Sequence, residues 1–414
     1  MDLHYDYLII GSGLAAFAAA LELRESGASV ALLSHGPGGT GMASGAWDLA
    51  DPALAGRPLS WRAMPPLAER LAHILREQEF HPYTVLQRGL RGVDFAEFFE
   101  SSVERAAQAL PLNYRRAKDS ALALLTPLGT VKLTDAAQYS IAAGDLNQMV
   151  RGRLLVVGVA GYVDFSPRFI AQSLIEEQET QAQHPLEFIG TTEIDVPGVK
   201  NTHSLAPIEI ALALDQERHF VAFGQAIVRY LQHKVYTHLL LPPVLGIQNT
   251  AQILAALERI TGLRVAESLA FPASMPGWRL HLAIQDFCAK QGIALVEGRA
   301  VEAGAVGRRL RWIRVEHRGE ARRLTGGGFV LATGKFLGGG VRRNGRLEET
   351  LLKLPIFSDG RPVGDRSLMS LAEKAGGRSQ PFLRAGIRVN GFAQPLDGEG
   401  EVAYDNLAAA GTVL

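Results

Sequence analysis

Tyr5-Asp6-Tyr7-Leu8-Ile9-Ile10-Gly11-Ser12-Gly13-Leu14-Ala15-Ala16, then an alanine-rich run and Ala28-Ser29-Val30-Ala31-Leu32-Leu33-Ser34, read as strand, glycine turn, helix, strand. Tyr7 to Ile10 are aromatic or aliphatic with no polar alternation, the pattern of a parallel strand buried on both faces. Gly11 allows a tight turn, Gly13 lets backbone amides approach a phosphate, and Ala16 is small where the helix must lie close on the strand. The spacing is G-x-G-x-x-A, and it predicts a helix from Leu14 to Glu25. The opening turn of that helix, with Leu14 and Ala15, presents unpaired N–H groups and a positive dipole end to a phosphate or pyrophosphate. Gly27 stands where a terminating glycine is expected. With 44 glycines in the chain, an ordinary structural turn is the alternative. The second strand ends in Ser34-His35, where Asp or Glu would pair with ribose hydroxyls. The ligand is therefore expected to be held mainly through phosphate, or to lack the second ribose.

The next loop, Gly36 to Leu49, is rich in small residues that allow close approach to a flat ligand. Thr40 and Ser44, followed by Gly45, offer hydroxyls for phosphate or ring carbonyls; a plain surface loop is the alternative. Residues 51–66 are rich in Pro, Gly and charge and are expected to leave the first domain. His81-Pro82 is held extended, so His81 either enters a cleft or serves a turn. Leu122–Leu125 and Thr130–Leu133 predict a hairpin across Thr126-Pro127-Leu128-Gly129. From Arg153 to Gly161 a second α/β series opens, and its alternation of strands and helices predicts another parallel sheet. Gly158-Val159-Ala160-Gly161 is either plain strand-to-helix geometry or a second phosphate turn, and it lacks the G-x-G-x-x-G spacing. Pro242 to Ile247 and Phe271 to His281 read as loops at strand ends, where ligands bind in open α/β sheets. There Arg279 is a candidate anion clamp and His281 a candidate proton carrier, with solvated or capping roles as the alternative.

The first domain resumes with strand Ile293–Glu297 and an alternating ribbon around Leu310–His317. It ends in Phe329-Val330-Leu331-Ala332-Thr333-Gly334. A hydrophobic strand stopping in Ala332-Thr333-Gly334 after a β-ribbon is the second signature of two-dinucleotide flavoproteins. The expected fold class is α/β: a Rossmann-like flavin-binding domain (1–50, 279–345 and 401–414) with a large α/β insertion (51–278 and 346–400).

A chain of 414 residues exceeds what one core sustains, and 47% hydrophobic residues supply more than one. Forty-two basic and 42 acidic residues cancel, so no global field favours nucleic acid. The single Cys288 excludes an internal disulfide, a thiolate zinc site and an iron–sulfur cluster ligated by this chain. The N-terminus carries no targeting pattern, and a cytoplasmic protein is expected. No stretch approaches the roughly 18 apolar residues of a membrane span.

Several further stretches carry a resemblance: Ser44-Gly45-Ala46-Trp47-Asp48-Leu49, His81-Pro82-Tyr83, Thr126-Pro127-Leu128-Gly129-Thr130, Val156 to Phe165, Gly338-Gly339 with Arg343-Asn344-Gly345-Arg346, and Asn406 to Leu414. In this order, and with the first strand–turn–helix unit, the chain resembles the B subunit of anaerobic glycerol-3-phosphate dehydrogenase. The resemblance implies a flavin protein, described for this family as using FMN, with FAD left open by a glycine turn suited to pyrophosphate. The implied complex oxidises sn-glycerol 3-phosphate to dihydroxyacetone phosphate. Its implied partners are an FAD-containing catalytic subunit and an iron–sulfur subunit that anchors it at the inner membrane and feeds quinone. In that reaction the substrate's C2 hydrogen leaves as hydride while a base, His81 or His281, takes the hydroxyl proton. Arg279 or Arg343 would hold the phosphate. Substrate oxidation on the partner, with this chain as electron relay, is equally consistent. In this architecture the strand Leu407–Gly411 is followed by a glycine turn and a helix at the flavin. The sequence given stops at Leu414, so a truncated form, a shortened member, or an element supplied by a partner is expected. Two other classes fit the residues: an assembly protein that has lost flavin, and an FAD-dependent oxidoreductase for another small acid.

Overall fold

The computed structural model describes residues 3–50, 64–117, 121–149, 151–179, 185–199, 204–231, 235–372 and 381–414. The expected departure at 51–66 lies mostly outside them. The chain forms two compact units: the described residues of Met1–Thr40, Ala72–Ala109 and His281–Leu414, and those of Gly41–Leu71 and Leu110–Leu280.

The first unit is built on β1 (Leu3–Ile10), α1 (Leu14–Glu25) and β2 (Val30–Ser34). It adds α2 (Pro82–Gly89), α3 (Phe95–Gln108), β3 (Ala294–Glu297), β4 (Arg299–Val306), β5 (Arg309–His317) and β6 (Glu320–Leu331). The hairpin β7 (Val341–Asn344) and β8 (Arg346–Glu349) and the last strand, β9 (Leu407–Ala409), complete it. Five strands run parallel in the order β3, β2, β1, β6, β9, and β4 and β5 form an antiparallel ribbon on the first half of β6. The chain reverses its direction of travel across the sheet between β1 and β6, the place where such sheets bind ligands. Ile10 is in register with both Leu33 and Leu331, and Leu331 with Ala409, so four strands end at one level. Their loops therefore leave the sheet along one edge.

Burial holds that edge still. Leu8, Ile9, Ala31, Leu32 and Leu331 are fully enclosed, and each leucine or isoleucine so buried contributes about 1.5–3 kcal/mol. Ala16, Phe17 and Ala20 are the buried face of α1, and Phe17 packs edge-on against Phe287 at 5.0 Å. Small Ala16 lets α1 lie on the strand as its spacing predicts. Cys288 is fully buried, and burial pushes its thiol up to about 11, which leaves it a packing residue.

The second unit carries a four-stranded parallel sheet in the order Arg264–Glu267, His238–Leu241, Gly152–Val159, Leu186–Ile194. Helices Pro167–Glu179, Pro207–Leu214, Glu217–Leu231 and Thr250–Thr261 lie between the strands in sequence. The hairpin forms from Leu122–Leu125 and Val131–Thr134.

Two expectations are corrected. Residues 72–109 and 346–400, placed by sequence in the insertion, pack in the first unit, among the described residues. The loop read over Phe271 to His281 is half helix: Met275–Lys290 starts one residue after Ser274, whose Oγ accepts from Gly277 N at 2.9 Å. Ser caps the helix and Pro276 sits in its first turn, where a missing N–H costs nothing.

Candidate functional site

Along the common edge of the parallel sheet in the first unit, four short turns meet. Gly11 has φ +128°, and any Cβ there would run into the Ala332 carbonyl, so β1 and β6 can end side by side only with glycine at this position. Gly411, φ +81°, backs on Ala15: a Cβ would come within 2.5 Å of the Ala15 methyl. Gly13 sits where a Cβ would stand 2.8 Å from the Thr40 hydroxyl. That hydroxyl accepts from Leu14 N at 3.0 Å, capping the first turn of α1. The amides of Ala15 and Ala16 have no acceptor among the described residues, as expected of a helix start with no side-chain cap at Gly13.

The opposite wall comes from the turn after β6. Gly340 folds back onto Gly334 and Thr333, Gly338 lies against Gly334, and a Cβ on Gly38 would be 3.9 Å from Gly338 Cα. Thr333 Oγ1 is buried with no hydrogen-bond partner among the described residues. A buried orphan hydroxyl costs free energy unless a ligand satisfies it. Thr412 Oγ1 lies 3.7 Å from the place a Cβ would take on Gly334. Lys335 reaches the Leu383 carbonyl with its Nζ at 2.7 Å, and burial brings its amine down to about 8.

These features fit a flat cofactor with a phosphate tail. Leu14, Ala15 and Ala16 offer amides, Thr40 and Thr333 hydroxyls, and Gly11, Gly13, Gly334, Gly338 and Gly411 close approach. Lys335 and Gly340 were not singled out from the sequence, and Gly338 and Thr412 entered only through the stretches that carry the resemblance. The signal was the glycine triplet Gly338-Gly339-Gly340 directly after Ala332-Thr333-Gly334, which is needed for the fold-back. An open groove of about 580 Å³, lined by Tyr7, Leu23, Phe329 and Phe392 among others, lies elsewhere in this unit and contains none of the glycines just named.

The remaining sequence candidates behave differently. Ser34 is buried and accepts from Ser12 Oγ at 2.8 Å, while His35 is exposed. The acid standing in register beside Ser34 is Glu297 on β3. His81 caps α2: its Nδ1 accepts from Tyr83 N at 3.1 Å, and burial lowers its pKa. This contact is the one the turn reading of His81 expects. Arg279 is 2% exposed and grips Glu267 bidentately at 2.7 and 2.9 Å, with its Nε on the Gly246 carbonyl at 2.8 Å. In this structure the guanidinium is wholly engaged by Glu267 and Gly246. Glu267 in turn accepts from Ser140 Oγ and Leu245 N. His281 is 5% exposed on the same helix, and burial lowers its pKa. Arg343 is exposed and donates to the Arg366 carbonyl at 3.0 Å. Ser44 and Gly45 belong to the second unit, where their carbonyls accept from Ala270 N and Gln138 N. No cluster of three metal-ligating side chains occurs among the described residues, and no described helix is long and apolar enough to cross a membrane.

A family model described as FAD binding domain matches residues 6–414. The chain belongs to this family. A flavin is the family's cofactor, and the family places the chain among flavin-dependent oxidoreductases. The expected resemblance is also borne out. The B subunit of anaerobic glycerol-3-phosphate dehydrogenase from Vibrio vulnificus (strain YJ016) is 26% identical over 100% of this chain and 90% of its own length. The protein of the same name from Yersinia enterocolitica is 28% identical over 99% and 92%. Among solved structures, the 3-ketosteroid-delta4-(5alpha)-dehydrogenase of Rhodococcus jostii RHA1 covers 100% of this chain and 91% of its own at 12% identity and TM-score 0.39. A flavocytochrome c3 fumarate reductase covers 99% and 73% at 12% identity and TM-score 0.32. At such overlap the likeness says nothing about chemistry.

Proposed function

We propose that this chain is the flavin-carrying B subunit of a multi-subunit dehydrogenase that oxidises sn-glycerol 3-phosphate to dihydroxyacetone phosphate and passes electrons towards quinone. The observation that carries the reading is the level ending of β1, β2, β6 and β9, where Gly11, Gly13, Gly334 and Gly411 line one edge. The full-length relatives named for this complex supply the substrate. Leu14, Ala15 and Ala16 would hold the cofactor phosphate, Thr40 and Thr333 would orient the remainder, and Lys335 would place an amine at the rim. A bound flavin supplies a two-electron acceptor. FMN is favoured over FAD because Ser34, at the ribose position, is buried on Ser12 and carries no charge. Membrane association would come through the partner subunits.

A second reading is favoured by two specific observations. Arg279 is locked on Glu267, and His81 caps a helix. With those groups engaged, the chain would relay electrons while a partner handles substrate. Anaerobic addition of sn-glycerol 3-phosphate to the flavin-loaded chain separates the two. Bleaching of the flavin by the chain alone supports substrate oxidation here, and bleaching only in the assembled complex supports relay. A folded but colourless protein sinks both, and mass spectrometry of the released cofactor decides FMN against FAD.

A further inference from the structure

The chain as a whole is neutral, yet the described residues of 335–388 carry nine basic side chains against four acidic ones. The hairpin β7–β8 concentrates this charge. Arg342, Arg343 and Arg346 are all exposed around the Asn344-Gly345 turn. Arg342 and Arg346 share the outer face of the hairpin with Glu348, which Lys353 contacts at 3.1 Å and Arg346 at 3.7 Å. Arg366 lies beside it, since Arg343 donates to its carbonyl and Leu347 N to that of Gly364 at 2.7 Å. Glu348 and exposed Asp365 leave these five cations in clear excess.

The hairpin is fastened to the cofactor edge. Thr350 donates from its amide to the Gly340 carbonyl at 3.0 Å and from its hydroxyl to the Gly339 carbonyl at 3.0 Å. At roughly 3.3 Å per residue, the Asn344-Gly345 turn stands about 13 Å along the strand from Gly340. Next to the same loop, Leu337 is 72% exposed and Leu383, held by Lys335, 59%.

We propose that the outer face of the β7–β8 hairpin, with Leu337 and Leu383 at its base, is the docking surface for the acidic face of an electron-accepting partner protein. The proposal rests on the flavin reading above. Arginine forks pair bidentately with carboxylates, and a few exposed apolar side chains within a charged rim are the anatomy of an interface. Charge of this kind chiefly sets the speed and orientation of encounter. An acceptor steered to the hairpin arrives beside the redox edge. A bilayer surface, which would also attract arginines, accepts no electrons, so a protein is the favoured occupant.

The probe is an acidic b-type cytochrome, reduced anaerobically by the pre-reduced, flavin-loaded chain in a stopped-flow mixer, with a basic c-type cytochrome as control. The acidic cytochrome should be reduced at a rate that falls steeply with salt. R342E/R346E should slow it about tenfold or more at low salt and speed the basic control. R342Q/R346Q, which only removes charge, should slow it less and serves if the reversal misfolds. Equal rates for wild type and both variants would overturn the proposal. So would variants that lose sedimentation with anionic phosphatidylglycerol vesicles while reducing the acidic cytochrome normally, because the face then belongs to a membrane. A chain that takes up no flavin fails the functional reading instead, and binding of the oxidised acidic cytochrome, followed by sedimentation velocity, still reads the docking face.

Discussion

Gly13 and Arg279 are two residues the sequence singled out, and their surroundings give them opposite fates. A methyl at Gly13 meets only the Thr40 hydroxyl, the end of a side chain that can turn away. Gly13→Ala should therefore fold, with melting temperature changed little, while flavin affinity falls at least tenfold, about 1.4 kcal/mol, in a fluorescence titration. Unchanged affinity would mean that no phosphate approaches this turn. Arg279, by contrast, is bound on three sides within the second unit. Arg279→Ala leaves the Glu267 carboxylate buried without its cation, and the expected loss of stability is about 3–5 kcal/mol in a denaturant titration. R279M/E267L should recover only part of it, because Ser140 Oγ and Leu245 N then lose their acceptor. Residue type could not separate these cases. A guanidinium after a strand end reads the same whether it faces a substrate or a buried carboxylate, and Glu267 is 12 positions away with no pattern linking the two.

At the scale of elements, the periodic signals were legible and the start of one helix was not. The apolar run Tyr7–Ile10 within β1 and the alternation of β5 carried their strands directly. The first turns of the helix Met275–Lys290 read as part of the Phe271–His281 loop because Pro276 and Gly277 look like a loop until Ser274 is seen to cap them. His81 shows the same difficulty at α2: before a proline it is extended either way, and only the 3.1 Å contact of Nδ1 with Tyr83 N shows a cap. That cap has a pH signature. Nδ1 accepts only while the ring is neutral, and burial lowers the folded pKa below 6.5. As pH falls through about 6.5, the unfolded chain takes up a proton that the folded one resists, so this contribution is full above that value and is lost below it. His81→Asn keeps a capping oxygen without the titration. Its melting temperature should match wild type at pH 8 and decline less between pH 7 and 5, whereas His81→Ala costs about 1 kcal/mol at pH 8. Abolished turnover in a flavin-loaded His81→Asn protein would show that the imidazole does more than cap.

Across the whole molecule the sequence contains two parallel α/β sheets, and among the described residues their helix starts are filled differently. In the second unit, the strand order also reverses, between Gly152–Val159 and His238–Leu241. There, however, Pro242 to Gly246 are buried, and the Asp215 carboxylate takes the amides of Ile247, Gln248 and Asn249 at 3.0, 3.2 and 3.0 Å. The chain's own acid fills the place of a phosphate before the helix Thr250–Thr261. In the first unit the corresponding amides keep only the Thr40 hydroxyl. How each helix start is filled depends on contacts among residues distant in sequence, and for that reason composition and spacing did not reveal it. The consequence is measurable by hydrogen exchange. Flavin at a hundred times its dissociation constant stabilises the bound state by about 2.7 kcal/mol, which slows exchange through local opening about 100-fold. Slowing of that size should appear at Leu14 to Ala16, whose amides then exchange only when the ligand leaves, and at Gly338 to Gly340, while Ile247 to Asn249 stay as they were. Protection arising instead at Ile247 to Asn249 would move the cofactor to the second sheet and require Asp215 to leave it.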